Sequence, residues 1–357
     1  MSQFKDSFIA NTAAVRVRFG AGVRRMLGEE IESLGATRAL IVTTAPQAAM
    51  AEEFAALCGS AAVGTFTEAS MHTPVDISER ATAYAKKIGC DVLVAVGGGS
   101  TTGLAKAIAL RTDLPQIVIP TTYAGSEATA ILGQTKNDLK TTVSSPKVQP
   151  EVILYDAELI TTLPISMTIT SALNAMAHAA EGLYARDSSP ISTLLAIEGL
   201  RAFRDALPKV KVTPNDIEAR GETLYGAWLC GTVLGQVGMA LHHKLCHTLG
   251  GSFNLPHAET HAIILPHAIA YNRQAVPELL VPISELFGDS NPGMALYRFA
   301  AQMGAPLALR DLGLEEVMLD KAADLAMANP YWNPRPLERK AIRDLLQAAF
   351  VGDAPDL

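Results

Sequence analysis

Asp91–Val96 (DVLVAV) is a short apolar run that passes straight into Gly97-Gly98-Gly99-Ser100, with helical spacing from Thr102 to Leu110. A strand apolar on both faces that hands over to a helix is a unit of a parallel sheet covered by crossover helices. The first half of the chain repeats that alternation. Strands are expected at Ala14–Phe19, Arg38–Thr43, Ala61–Phe66, Gln116–Ile119 and Glu151–Tyr155. Helices are expected at Val23–Leu34, Gln47–Leu57 and Asp76–Ile88. The polar stretch Lys136–Ser145 suits a hairpin lid. After Asp156 strand signals nearly vanish, and nine helical stretches follow between Met167 and Ala349. The expected organisation is therefore an α/β domain over 1–158 and an all-α domain over 159–357.

Composition narrows the function classes. With 49% hydrophobic and 18% charged residues, 357 residues bury a substantial core. The formal charge of −7 argues against a nucleic-acid groove. Cys58, Cys90, Cys230 and Cys246 form no CxxC pair and no disulfide framework, so a reducing cytoplasm is the expected location. No stretch has the length and apolarity of a membrane span.

The glycine run marks a ligand end. Glycine lets backbone approach a phosphate closely, and a helix N-terminus offers free N–H groups to an anion. Ser100 is expected as N-cap. Pro120-Thr121-Thr122 ends the next strand, so on a parallel sheet both loops share one carboxyl edge, where such sheets bind ligands. The expected cofactor-binding residues are Thr43, Gly98, Gly99, Ser100, Thr121, Thr122 and Ser126, with Lys140 on the lid adding charge. An ordinary glycine-rich turn is the competing reading. Thr43-Thr44-Ala45-Pro46 carries neither an acid for ribose hydroxyls nor an arginine for a 2′-phosphate, which leaves both NADH and NADPH admissible.

Six of the eight histidines fall between Met239 and Asn272. His243 and His247, four apart, share a helix face. Gly250 and Gly251 are expected to break that helix. Pro256 suits the first turn of the next, which places His257 and His261 four apart as well. Convergent imidazoles suit ligation or proton transfer. His72-Thr73-Pro74 reads either as a helix-start turn or as a contact to cofactor or substrate.

GGGSTTGLAKAIAL, IPTTYAGSEAT, ALNAMAHAAEGLYA and HHKLCHTLGGSFNLPHAETHAIILPHAIAYN, in this order, resemble the iron-containing alcohol dehydrogenase superfamily over most of the chain, from about Phe19 to Asn272. The resemblance implies a Rossmann-like N-terminal domain and a helical C-terminal domain, the dehydroquinate synthase-like architecture. It also implies a nicotinamide cofactor. The family's four metal-ligand positions fall here on Asn174, His178, His243 and His257, with Asn174 in place of an aspartate. Gly103 replaces a second usual aspartate, in the helix after the glycine loop. Both departures are similar to those of maleylacetate reductases. These form a branch that acts late in aromatic, including chloroaromatic, degradation and works without bound metal.

An asparagine brings no negative charge to a divalent ion, so metal is not expected. Reduction of an alkene conjugated to a ketone needs donors for an enolate and one proton source. His243 is the expected proton donor and His247 the neighbour of the nicotinamide, with His178 and His257 shaping the pocket. The implied partner is a small dianionic substrate, in a homodimer that engages neither nucleic acid nor membrane. Two other readings compete: a metal-dependent alcohol dehydrogenase acting on a small alcohol or aldehyde, and a non-catalytic nucleotide-binding protein.

Overall fold

A computed structural model of the chain describes residues 8–10, 12–136 and 139–355. They form two compact units, which divide between Leu163 and Pro164, while residues 8–10 group with the second. The sequence places that division at 158/159. The difference has a local cause: Asp156 accepts from the backbone N–H groups of Gly22, Arg24 and Glu158 and from the Arg24 guanidinium. The short 3-10 turn Ala157–Ile160 is thereby tied to the first unit.

The first unit contains eight strands: β1 (Arg16–Phe19), β2 (Ala39–Val42), β3 (Ala62–Phe66), β4 (Val92–Gly97), β5 (Gln116–Pro120), β6 (Ile131–Lys136), β7 (Leu139–Ser144) and β8 (Val152–Tyr155). Its helices are α1 (Leu27–Ser33), α2 (Ala48–Cys58), α3 (Val75–Ile88) and α4 (Gly99–Thr112). Six strands make one parallel sheet in the order β1-β8-β5-β4-β2-β3. The two-residue period of β4 serves both faces. Val92, Val94 and Val96 pack with Leu27, Ile31, Phe54 and Ile119, whereas Leu93 and Ala95 pack with Ala81, Leu104 and Ile108. Each large aliphatic side chain so buried contributes roughly 1.5–3 kcal/mol. β6 and β7 form a separate antiparallel hairpin that starts at Ile131, five residues before the polar stretch expected to hold it, so only its second strand lies within Lys136–Ser145.

The direction of chain progression reverses between β2 and β4, so the carboxyl ends of these strands flank the switch point where such sheets take ligands. Gly97 of β4 pairs with Pro120 of β5, which sets the following loops level.

The second unit carries no strand among its described residues. It consists of α5 (Ile165–Tyr184), α6 (Pro190–Val212), α7 (Ile217–Gln236), α8 (Leu241–Phe253), α9 (His257–Arg273), α10 (Val281–Phe287), α11 (Pro292–Met303), α12 (Leu319–Ala328) and α13 (Arg339–Val351). Gly250 and Gly251 do not break α8, contrary to expectation; the helix runs through them and stops at Asn254, which adopts φ 55°. The left-handed C-cap conformation, which asparagine tolerates, is therefore the terminator. Leu241, Leu245 and Leu249 hold α8 against Ile263, Ile264 and the α12–α13 pair. Pro256 caps α9 from just outside its first residue, His257. No single helix among the described residues is long and apolar enough to cross a membrane.

Candidate active site

In the first unit the glycines are packed, not merely flexible. Gly97 sits at φ 150°, and a Cβ there would press into Thr101 Oγ1; a Cβ on Gly98 would lie 2.9 Å from Thr122 Oγ1. The β4–α4 and post-β5 loops thus touch, with Thr121 N–H donating to the Gly97 carbonyl (3.0 Å). The N-cap of α4 is Gly98; Ser100, expected there, lies inside the first turn instead. Thr101 and Thr102 both donate to Gly98 O, while the N–H groups of Gly99 and Ser100 precede the first intrahelical bond and are left for an anion. Thr101 Oγ1 is buried without a partner. A cradle that a single methyl group would fill, with an unsatisfied hydroxyl beside it, fits a dinucleotide phosphate.

Not every residue expected here is available to a ligand. Thr43 is fully buried and its hydroxyl donates to Val96 O (2.9 Å), so it closes the β2–β4 end of the sheet. Ser126 gives its carbonyl to Lys106 Nζ (2.6 Å). That ammonium also reaches Thr129 O, Thr129 Oγ1 and Ile131 O, and so pins the whole post-β5 loop to α4. Lys140 lies on β7, paired with Thr135; its side chain is outside the described residues. Gln47, which the sequence did not single out, accepts from Thr44 Oγ1 (3.0 Å) and donates to Thr121 Oγ1 (3.4 Å).

In the second unit α5, α8 and α9 bring six imidazoles together. His178 and His243 stack at 5.2 Å between centroids; His243 lies 5.9 Å from His247, 5.0 Å from His242 and 5.1 Å from His261; His257 lies 4.2 Å from His261. His178 and His243 are buried, while His247 and His257 are exposed. The expected four catalytic histidines are thus in one cluster. His267 stands apart in role, buried with neither ring nitrogen partnered.

The cluster is organised by Glu181, which the sequence reading passed over. It lies three residues after His178 on α5, fully buried. Its carboxylate accepts from His243 Nδ1 (2.7 Å) and from the backbone N–H groups of Ala240 (2.8 Å) and His242 (2.7 Å). Tyr184 OH adds a longer bond at 3.3 Å. With Nδ1 donating to an acid, the Nε2 atom of His243 is the one left over, and it is buried with no partner. The i, i+3 spacing of His178 and Glu181 was the available signal. On its exposed side His247 Nδ1 shares a 2.9 Å hydrogen bond with Tyr331 OH, a contact across 84 residues that no local pattern announces.

Behind His243, His242 Nε2 and His261 Nδ1 share a hydrogen bond of 2.9 Å, with Cys246 Sγ 3.7 Å from the former. Burial, then neighbouring histidines, pushes His178, His242 and His261 well below the usual imidazole range, so these rings are neutral. Burial also raises the Cys246 thiol well above its ordinary value, which leaves it unreactive.

Asn174 Oδ1, one turn before His178 on α5, is buried and unpartnered; with the clustered His178, His243 and His257 it would be the donor set for a divalent ion. That donor set contains no carboxylate, and the nearest acid is already engaged with His243 Nδ1 and two backbone groups. Three imidazoles and an amide oxygen can ligate an ion, but no anionic ligand offsets its charge, unlike a site that includes a carboxylate.

Comparison with known proteins agrees with both units. The iron-containing alcohol dehydrogenase model matches residues 14–157, and the model for the C-terminal part of the Fe-containing alcohol dehydrogenase family matches 168–350. The chain belongs to the iron-containing alcohol dehydrogenase family. Within this family it is 58% identical to a maleylacetate reductase of Rhizobium sp. (strain MTP-10005) and 51% identical to one of Burkholderia cepacia, over 98% of this chain and 99% of each relative. The crystal structure of maleylacetate reductase from Agrobacterium tumefaciens superposes with a TM-score of 0.96 at 57% identity, covering 98% of this chain and all of that one. The chain is an oxidoreductase of this family.

Proposed function

We infer that this protein is a maleylacetate reductase, reducing the carbon–carbon double bond of maleylacetate to give 3-oxoadipate, with NADH or NADPH as reductant. One observation carries the metal-free form of this reading: an uncharged Asn174 lies one turn before His178, and the cluster's carboxylate, Glu181, is already engaged. Full-length identity of 58% and 51% to maleylacetate reductases supports the substrate.

A reduced nicotinamide supplies a hydride when bound. The chain's own residues account for the remainder. Gly97–Gly99 and the first turn of α4 receive phosphate. Hydride addition β to the ketone spreads charge onto the enolate oxygen, which needs hydrogen-bond donors. Neutral His178 and the rim histidines His247 and His257 are suited to that task. His243 Nε2 delivers the proton to the carbon α to the ketone, and Glu181 neutralises the ring whenever Nε2 carries that proton. His247, held at Nδ1 by Tyr331, is the histidine we assign to the nicotinamide.

NADH oxidation followed at 340 nm is the direct test. Turnover with maleylacetate that persists after chelation, and none with simple primary alcohols, is the expected result. Activity abolished by chelators and restored by iron or zinc would favour the metal-dependent alcohol dehydrogenase. Asn174→Asp supplies the missing charge and is expected to raise metal content after growth in iron by at least ~10-fold. Equal, stoichiometric metal in both proteins would overturn the metal-free reading.

A further inference from the structure

Maleylacetate carries two carboxylates, and the cluster described above is made of imidazoles around one buried carboxylate, Glu181, with no lysine or arginine among them. One carboxylate is attached to the alkene and must stay with the reacting carbons. The other lies at the far end of the molecule, beyond the ketone and a methylene group. Charge complementarity asks for a fixed cation at that distance.

Lys244 meets the requirement. It sits on α8 between His243 and His247, half-buried. Its Nζ lies 5.8 Å from the centroid of the Tyr331 ring, and the His247 ring lies 5.9 Å from the same centroid. Among the described residues no carboxylate pairs with it. Its ammonium rests against an aromatic face instead. Two other cations lie near aromatic rings of this unit. Lys321 Nζ is 5.9 Å from the centroid of Phe253, at the opposite end of α8 from His243. Arg335 is committed: its guanidinium lies 3.9 Å over the Tyr271 ring and donates to Tyr271 O.

We propose that Lys244 receives the substrate carboxylate remote from the alkene, and so makes the enzyme selective for a keto-diacid over an enone with one acid. The proposal rests on the maleylacetate reductase reading. Tyr331 then has two tasks, holding His247 through its hydroxyl and seating the Lys244 ammonium on its ring. Hydride and proton transfer proceed as before; the lysine binds and orients.

Steady-state kinetics with maleylacetate and with 4-oxohex-2-enoate, which lacks the remote carboxylate, test this. Lys244→Met is expected to raise KM for maleylacetate about 10- to 100-fold, the worth of one charge-assisted bond, with a smaller effect on kcat. Lys244→Arg should recover most of the loss, and KM for NADH should stay within about twofold. KM for the mono-acid should be the same in wild type and Lys244→Met. A KM for maleylacetate unchanged in Lys244→Met overturns the proposal, as does an equal loss for both substrates. Lys244→Gln provides a second removal, checked by thermal melting and NADH fluorescence for intact folding. Failure of the wild-type protein to oxidise NADH with maleylacetate would instead sink the functional reading itself.

Discussion

The carboxylate at position 181 meets two backbone N–H groups, an imidazole and a phenol with no exposure to solvent. Replacing it by an amide leaves one of those donors facing an NH2 group. Glu181→Gln is therefore expected to cost about 1–3 kcal/mol of stability. It should also lower kcat by at least ~10-fold, because His243 loses the group that fixes Nε2 toward substrate. KM for NADH should not move. Urea melts and NADH kinetics check the two effects separately, and unchanged kcat would remove Glu181 from the mechanism. The histidines were legible in the sequence because four-residue spacing and density are local signals. Glu181 was legible only as a neighbour of His178, and Lys244 lay within the histidine motif itself. Tyr331 was not legible, since nothing local ties it to position 247. The identity and strand-end position of Thr43 do not reveal that its hydroxyl donates to Val96 O.

At the scale of elements, the six strands of the parallel sheet were read within one or two residues; β2, β4 and β8 are buried throughout and so carry an uninterrupted apolar run, whereas β6, half-buried and polar in part, was not read. Helix ends were less legible. Ser100 is a good capping residue by type, yet α4 starts earlier, at Gly99, because the glycines already carry the extended-to-helical turn. Gly250 and Gly251 weaken a helix by propensity, but packing of Leu245 and Leu249 holds α8 through them. The contact between α4 and the turn before α3 gives a test at this scale. A Cβ on Gly103 would press into Thr73 Oγ1, and His72 and Thr73 occupy φ 64° and φ 47°. Gly103→Ala is expected to destabilise the protein by about 1–3 kcal/mol through overpacking. Because α4 begins in the glycine cradle, KM for NADH should rise as well. An unchanged urea midpoint and KM would show that this turn yields freely.

For the whole molecule, acid sensitivity follows from the buried neutral histidines. His267 is 1% exposed, and burial lowers it from 6.5 to about 4. Below pH 6.5 the unfolded chain takes up a proton that the folded ring refuses until about pH 4. The unfolded state then binds more protons, so stability falls as pH drops through that window, by on the order of 3 kcal/mol for this residue. His178, His242 and His261 act in the same direction. Urea midpoints at pH 7, 6 and 5 should fall steeply in the wild type and less steeply in His267→Gln; identical slopes would refute the assignment. The left-handed pair at 72 and 73 bears on how such a chain can change over time. An acidic side chain at 103 is barred while Thr73 fills that space, and a smaller residue at 73 alone leaves a gap. Each replacement is harmful singly and tolerable only in company, so an acidic side chain at 103 requires a permissive change at 73, and the two sites are expected to change as a linked pair.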